Sequence, residues 1–289
     1  MPGRAVLFDF DGTLADSFAA ITASTNAVRA SYGLPPLPES EIRIFVGLGL
    51  EHLLAQLVRG APPAEAVARY REHHPSVMAT HTHLFPGVRE TLVELRRRGY
   101  ALAVCSNKTV HFTKQLVKDL GLGELFAEVL GPEDVPAAKP DPAMLLEACR
   151  RLKVSAADAV YIGDMAIDVR AAQAAGMPVW LVAGGAAGSE SAEACGPDRV
   201  LAAFADMLPL LPTDQSNLTP PPPSLGGKGE PESWVCSPLP VGEGPGAGLC
   251  LHVHTHTLTP RRNFPPEVQP PRFLARPVAN RRFLRPRVL

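Results

Sequence analysis

Two pairs of acids stand out for their spacing. Asp9 and Asp11 lie two residues apart at the end of the apolar run Ala5-Val6-Leu7-Phe8, just ahead of Gly12. On an extended segment residues i and i+2 face the same way, so both carboxylates can enter one crevice while Phe8 and Phe10 pack beneath. Two acids held together repel unless a shared proton or a cation relieves them. That suits a hard divalent metal bound through oxygen, most simply Mg²⁺. Asp164 and Asp168 follow a second apolar run, Ala159 to Gly163. Four residues apart on a first helical turn, they lie on one side and complete a cation site.

Between the two pairs come groups suited to an anion. Ser106 and Asn107 follow the buried-strand run Tyr100 to Cys105, where a hydroxyl, an amide and the free N–H groups of a helix start can hold phosphate oxygens. Lys139 precedes Pro140, which keeps it extended, and Asp141-Pro142 reads as the cap and first position of the next helix. A lysine held there can aim its ammonium into the same crevice. Each residue alone has a plainer reading: Asp-Gly is a common corner, Ser106 an N-cap, Lys139 a solvated charge, Asp168 a favourable charge at a helix start.

The elements that must position these groups alternate strand and helix. The pattern predicts strands at Ala5–Phe8, Tyr100–Cys105, Phe126–Leu130, Ala159–Gly163 and Pro178–Val182, with helices after Pro86, over Phe112–Leu120, after Pro142 and over the Asp168–Ala175 region. A short strand near Val200 and a helix over Ala202–Leu211 end the patterned region. This is an α/β chain with a Rossmann-like, doubly wound parallel sheet, whose carboxyl edge would collect Asp9, Ser106, Lys139 and Asp164. From Ala15 to His83 the period is helical, broken by Pro35, Pro36, Pro38, Pro62, Pro63 and Pro75, with no strand expected. His73, His74, His81 and His83 lie in polar helix-end and linker sequence and read as surface residues rather than a metal cluster.

The string DFDGTLADS resembles the first motif of the haloacid dehalogenase-like superfamily of phosphohydrolases. Ser106, the KPDP stretch around Lys139 and the run GDMAID at 163–168 match its second, third and fourth motifs in order. The resemblance implies a core of 1–14 and 84–212 and a small all-helical cap, 15–83, inserted after the first strand. It implies Asp9 as the nucleophile, Asp11 as the acid and base, Lys139 as the neutralising cation, and Mg²⁺ on Asp9, Asp11 and Asp164, with Asp168 supporting. Thr13, Ser106 and Asn107 would bind phosphate. In relatives the loop equivalent to Val46-Gly47-Leu48-Gly49 faces the active site, which makes Arg43, Gly47 and His52 candidate substrate contacts.

Asp11 favours phosphoryl transfer, since the dehalogenase members lack the second acid. Residues 15–82 hold no lysine, which removes the Schiff-base chemistry of phosphonate-cleaving members. VGLG in the insert and CSNK after the second strand look most like the phosphoglycolate phosphatase branch. Nucleotides, pyrophosphate and sugar phosphates stay open as substrates, and a sugar-phosphate mutase ranks below them. A silent module binding a phosphorylated ligand or a partner is the rival of another class.

With 28 Lys and Arg against 29 Asp and Glu, the formal charge of −1 gives no general pull toward nucleic acid or membrane. No basic segment followed by a long apolar run opens the chain, so a cytoplasmic location is expected, and the resemblance implies a small phosphorylated metabolite as substrate. Five cysteines without paired metal spacing read as reduced thiols. Residues 213–289 are rich in Pro, Gly and Arg without period and read as a disordered tail, dispensable for turnover.

Overall fold

Residue alternation in the first strand sets the architecture. In β1 (Ala5–Phe8) every residue is buried, with Val6 and Phe8 in one apolar cluster and Ala5 and Leu7 in another, so the strand needs cover on both faces. A computed structural model describes residues 4–183, 194, 196–211 and 213. The further strands of the sheet are β4 (Ala101–Cys105), β5 (Glu128–Leu130), β6 (Ala159–Gly163), β7 (Val179–Val182) and β8 (Arg199–Leu201). They run in the order β5-β4-β1-β6-β7-β8, all parallel, with Phe8 opposite both Val104 and Ile162.

On the Val6 and Phe8 face lie α5 (Val88–Arg97), through Leu92 and Leu95, and α6 (Val110–Asp119), through Phe112 and Leu116. On the other face lie α7 (Ala143–Leu152), through Met144 and Leu145, and α8 (Ala166–Ala174), through Val169 and Ala172. The chain goes from β1 to β4 and β5 on one side, then crosses back to β6 on the other. The order therefore reverses at β1, and in an open α/β sheet the crevice beyond the strand ends at that point is where ligands bind.

The insert contains α1 (Phe18–Ser31), α2 (Glu39–Arg43), α3 (Leu50–Leu57) and α4 (Pro63–His73), the last running into a short 3₁₀ turn at His74–Ser76. Arg29 is buried and ties the group together, donating to the carbonyls of Pro35 and Leu57. At its two ends the sequence reading needs correction. Two strands are present, β2 (Ala15–Asp16) and β3 (His83–Leu84), pairing antiparallel as Ala15 with Leu84 and Asp16 with His83. Two residues are too few to show a period, and the partners are far apart in sequence.

Smaller differences concern ends. The Ala202–Leu211 helix is a 3₁₀ segment over Phe204–Leu210 that holds Pro209, and the third core strand starts at Glu128. Cys105 and Cys149 are free and buried, and no helix among the described residues is long and apolar enough to cross a membrane. The glycine-rich connection after Ala183, Cys195, and the tail beyond Thr213 with its histidines and arginines lie outside the described residues.

Candidate active site

The carboxyl ends of β1, β4 and β6 meet around Asp9. The Asp9 N–H donates to Ile162 O at 2.9 Å, which continues the β1–β6 ladder one residue past the strand and fixes the start of the turn. Phe10 O then accepts from Thr13, Leu14 and Ala15, closing a tight corner. Gly12 makes the corner feasible. Its φ is +88°, and a Cβ there would stand 2.3 Å from Asp164 Oδ2. The glycine lets two acid-bearing strand ends approach.

Lys139 is the hub. Its Nζ lies 2.8 Å from Asp168 Oδ1, 2.7 Å from the Tyr161 hydroxyl and 3.0 Å from Asp9 Oδ1, and the side chain is only 1% exposed. Burial works against the ammonium, but the Asp168 and Asp9 carboxylates outweigh it and hold the lysine above its ordinary range. Burial pushes the Asp9 carboxyl up to about 6 although Lys139 pulls the other way, and Asp168 and Asp11 add to the rise. The peptide bond Lys139–Pro140 is cis.

Tyr161 was missed as a functional residue because it reads as one more apolar position in β6. Its hydroxyl accepts from Lys139 and donates to Cys105 O at 2.8 Å, so it braces the lysine against the end of β4. Lys108 was also missed. Its Nζ lies 3.2 and 3.3 Å from the two oxygens of Asp11, which also takes a 2.5 Å bond from Ser17. The signal for Lys108 was its place directly after Ser106-Asn107.

Three predicted residues prove to be brackets. The Asn107 amide donates to Gly47 O (3.0 Å) and Lys139 O (2.8 Å) and accepts from Lys139 N (2.9 Å), so its side chain is committed to backbone, not phosphate. Thr13 Oγ1, fully buried, donates to Asp164 Oδ1 at 2.9 Å and orients that acid instead of facing an anion. Asp168 is fully buried: Oδ1 takes Lys139, and Oδ2 takes the N–H groups of Asp164 (3.2 Å) and Met165 (3.0 Å).

The donor set fits a hard cation. Asp9, Asp164 and Asp168 each bring a carboxylate oxygen to within 4.8 Å of the others. Asp168 is already committed on both oxygens, so Asp9 and Asp164 are the suitable pair. Asp9 Oδ1, buried and near the ammonium, takes no well-aligned hydrogen bond. A crowded, buried carboxylate short of donors suits an oxygen-seeking divalent ion.

Beside these groups opens a cleft. Asp9, Asp11, Ser106 and Lys108 line it together with side chains of the insert. Gly47 also lines it, and with φ +99° a Cβ there would press to 2.4 Å from Met165 Sδ. Arg43 and His52 do not line the cleft: the Arg43 guanidinium lies over the Phe18 ring at 3.9 Å and pairs with Glu39, while His52 sits beside Phe45. His74 corrects the surface reading. It is 1% exposed, and it lines the cleft.

The family model of haloacid dehalogenase-like hydrolases matches residues 6–182, and the chain belongs to that family. It is 38% identical over 218 residues, covering 73% of this chain and 93% of the relative, to a plasmid-borne phosphoglycolate phosphatase of Cupriavidus necator. A phosphoglycolate phosphatase of Pectobacterium atrosepticum is 34% identical, with 72% and 92% covered. Among solved structures, a predicted phosphoglycolate phosphatase of Haemophilus somnus superposes with a TM-score of 0.68 at 26% identity, over 72% of this chain and 97% of that one. CbbY of Rhodobacter sphaeroides, solved in complex with phosphate, gives 0.63 at 27%, over 72% and 96%.

Proposed function

We propose that this chain is a Mg²⁺-dependent phosphatase for a small phosphomonoester, 2-phosphoglycolate being the favoured substrate, and that it works in the cytoplasm. One observation carries the reading: Asp9, at the end of the central strand, is buried with Lys139 at 3.0 Å and Asp11 beside it on the same cleft. Membership in a hydrolase family and likeness to phosphoglycolate phosphatases support the substrate class.

In this reading an Asp9 oxygen attacks phosphorus, the phosphorus–alcohol bond breaks, and Asp11 gives its proton to the departing alcohol. An aspartyl-phosphate results. Asp11 then takes a proton from water as that water attacks the phosphorus, releasing phosphate and restoring Asp9. Ser106 and the ammonium of Lys139 stabilise the negative phosphoryl oxygens, and Lys139 is aimed by Asp168 and Tyr161. Mg²⁺ held by Asp9, Asp164 and the Asp11 backbone carbonyl would supply further charge neutralisation on the phosphoryl group. The helices α1 to α4 act as a cap that keeps bulk water from the cleft.

A second reading has its own support. CbbY of Rhodobacter sphaeroides has also been solved with xylulose-1,5-bisphosphate, which favours a sugar phosphate. Phosphate release across 2-phosphoglycolate, sugar phosphates, nucleotides and pyrophosphate, with and without Mg²⁺, separates the two. Asp9→Asn must abolish release from every ester that the native chain cleaves. No release from any of them favours the silent binding module, whereas interconverted sugar phosphates would mark a mutase.

A further inference from the structure

The loop that leads from α2 to α3 is seated on the two core turns that hold Lys139. Its Gly47 lies against both. On one side the Asn107 amide donates to Gly47 O at 3.0 Å, and on the other the Gly47 backbone runs so close to Met165 that a Cβ would fall 2.4 Å from Sδ. Each contact leads on to the same lysine. Asn107 pairs with the Lys139 backbone, donating to its carbonyl at 2.8 Å and accepting its N–H at 2.9 Å. The Met165 N–H donates to Asp168 Oδ2, and the other oxygen of Asp168 takes the Lys139 ammonium. The insert therefore rests on the residues that fix Lys139 at its backbone and at its tip.

The orientation of the Asn107 amide is set by its partners. The Lys139 N–H can only donate and the Gly47 and Lys139 carbonyls can only accept, so Oδ1 faces the first and Nδ2 the other two. Both Nδ2 protons are thereby used, one on the insert and one on the core, in a side chain that is buried. Turning the amide to follow a moving loop would take it off Lys139 as well, and lifting the loop alone leaves one of its donors without an acceptor. Seating at this point is a matter of backbone, since Gly47 has no side chain and Leu48 beside it is 44% exposed.

We propose that Asn107 is a positioning residue that couples the seating of the 46–49 loop to the placement of Lys139, so that the lysine is held most firmly when the insert is down on the core. Such a coupling is reciprocal: what loosens the loop loosens the lysine, and the reverse. Its part in turnover rests on the phosphomonoesterase reading, whereas the coupling itself is measurable without turnover.

Hydrogen exchange of the full chain reads the coupling directly, because the Lys139 N–H is bonded to Asn107 Oδ1. Gly47→Val puts a β-branched side chain at φ +99° and against Met165, which unseats the loop without touching either Lys139 bond. The Lys139 amide, 92 residues away, should then exchange roughly 3- to 10-fold faster, the scale of one hydrogen bond, while the Val104 and Ile162 amides of β4 and β6 keep their native rates. A Lys139 rate within about twofold of native overturns the proposal, as does an equal acceleration at all three amides. In turnover of 2-phosphoglycolate, Asn107→Ala should lower kcat by about 10-fold or more, and the double variant should fall short of the product of the two single losses by more than about threefold. A kcat within about threefold of native in Asn107→Ala, or losses that multiply, overturns the proposal. Should Asn107→Ala lower the folded fraction, the exchange measurement on Gly47→Val decides. A native chain that cleaves no ester of the panel overturns the phosphomonoesterase reading, and the exchange measurement then decides the coupling by itself.

Discussion

Replacing Asp168 by Asn tests the view that this acid aims Lys139 and does not hold the cation. The substitution is nearly isosteric, so packing around a fully buried side chain is preserved. Yet the amide cannot satisfy its surroundings in either orientation. One orientation turns its NH₂ toward the Lys139 ammonium, now 2.8 Å from a carboxylate oxygen, and the other turns it toward the N–H groups of Asp164 and Met165. Taking one partner from a buried ion pair costs about 3–5 kcal/mol, and Lys139 keeps Asp9 and Tyr161, which favours the lower end. At roughly 2–4 °C per kcal/mol for a fold of this size, the melting temperature should fall by about 6–12 °C. A lysine no longer held in place should lower kcat by about 100-fold, the scale of losing one preorganised electrostatic contact. The Mg²⁺ concentration giving half-maximal phosphate release should shift less than in Asp164→Asn, because both Asp168 oxygens are committed elsewhere. Thermal melts and Mg²⁺ titrations of activity read all three quantities. A melting temperature within 2 °C of native together with kcat within threefold, by the same scales, refutes the bracing argument. A shift in the Mg²⁺ requirement as large as that of Asp164→Asn would instead make Asp168 a ligand.

Asp164→Asn should behave in the opposite sense, raising the Mg²⁺ requirement by about 10- to 100-fold or more, measured in the same titration. Gly12→Ala should lower kcat at least about 30-fold, because its Cβ would displace the Asp164 carboxylate and strain a left-handed corner. Gly33→Ala, also left-handed but with no atom within 4 Å of the new Cβ, should leave kcat unchanged and cost only about 1 kcal/mol of stability by denaturant titration. Burial first, then Lys108 and His73, lowers the His74 imidazole from 6.5 to about 3 in the folded chain. The unfolded chain thus binds the extra proton below pH 6.5, so this contribution is complete above that pH and is lost as pH falls toward 3. Denaturant titrations of His74→Gln from pH 7 to 5 should give a stability slope shallower than native by about 1 kcal/mol per pH unit, and parallel slopes would refute the assignment. Truncation after Pro212 should leave kcat/KM for the preferred ester unchanged, since the family match ends at residue 182.

What the sequence reveals about this site divides along a physical line. Asp9, Lys139 and Asp164 are legible because their placement follows from local rules: an apolar run ends, a glycine or proline turns the chain, and a parallel sheet gathers the strand ends on one edge. The tasks of Asn107 and Thr13 are not legible in the same way. An amide able to hold phosphate is equally able to hold backbone, and only contacts 32, 60 and 151 residues away decide it. Tyr161 shows the intermediate case. A phenol in a fully buried strand needs a partner for its hydroxyl, which marks the residue without identifying Lys139. His74 was within reach of a pattern argument: with Val67 and Tyr70 it falls at i, i+3 and i+7, the buried stripe of α4 carried one residue past its end. Polar neighbours hid that register. The acids and lysine stand at strand ends that the fold itself brings together, whereas the insert adds a wall of the cleft. Reaction type is therefore the part of the function that strand-end motifs carry, whereas the cleft wall supplied by the insert is fixed by contacts between residues far apart in sequence.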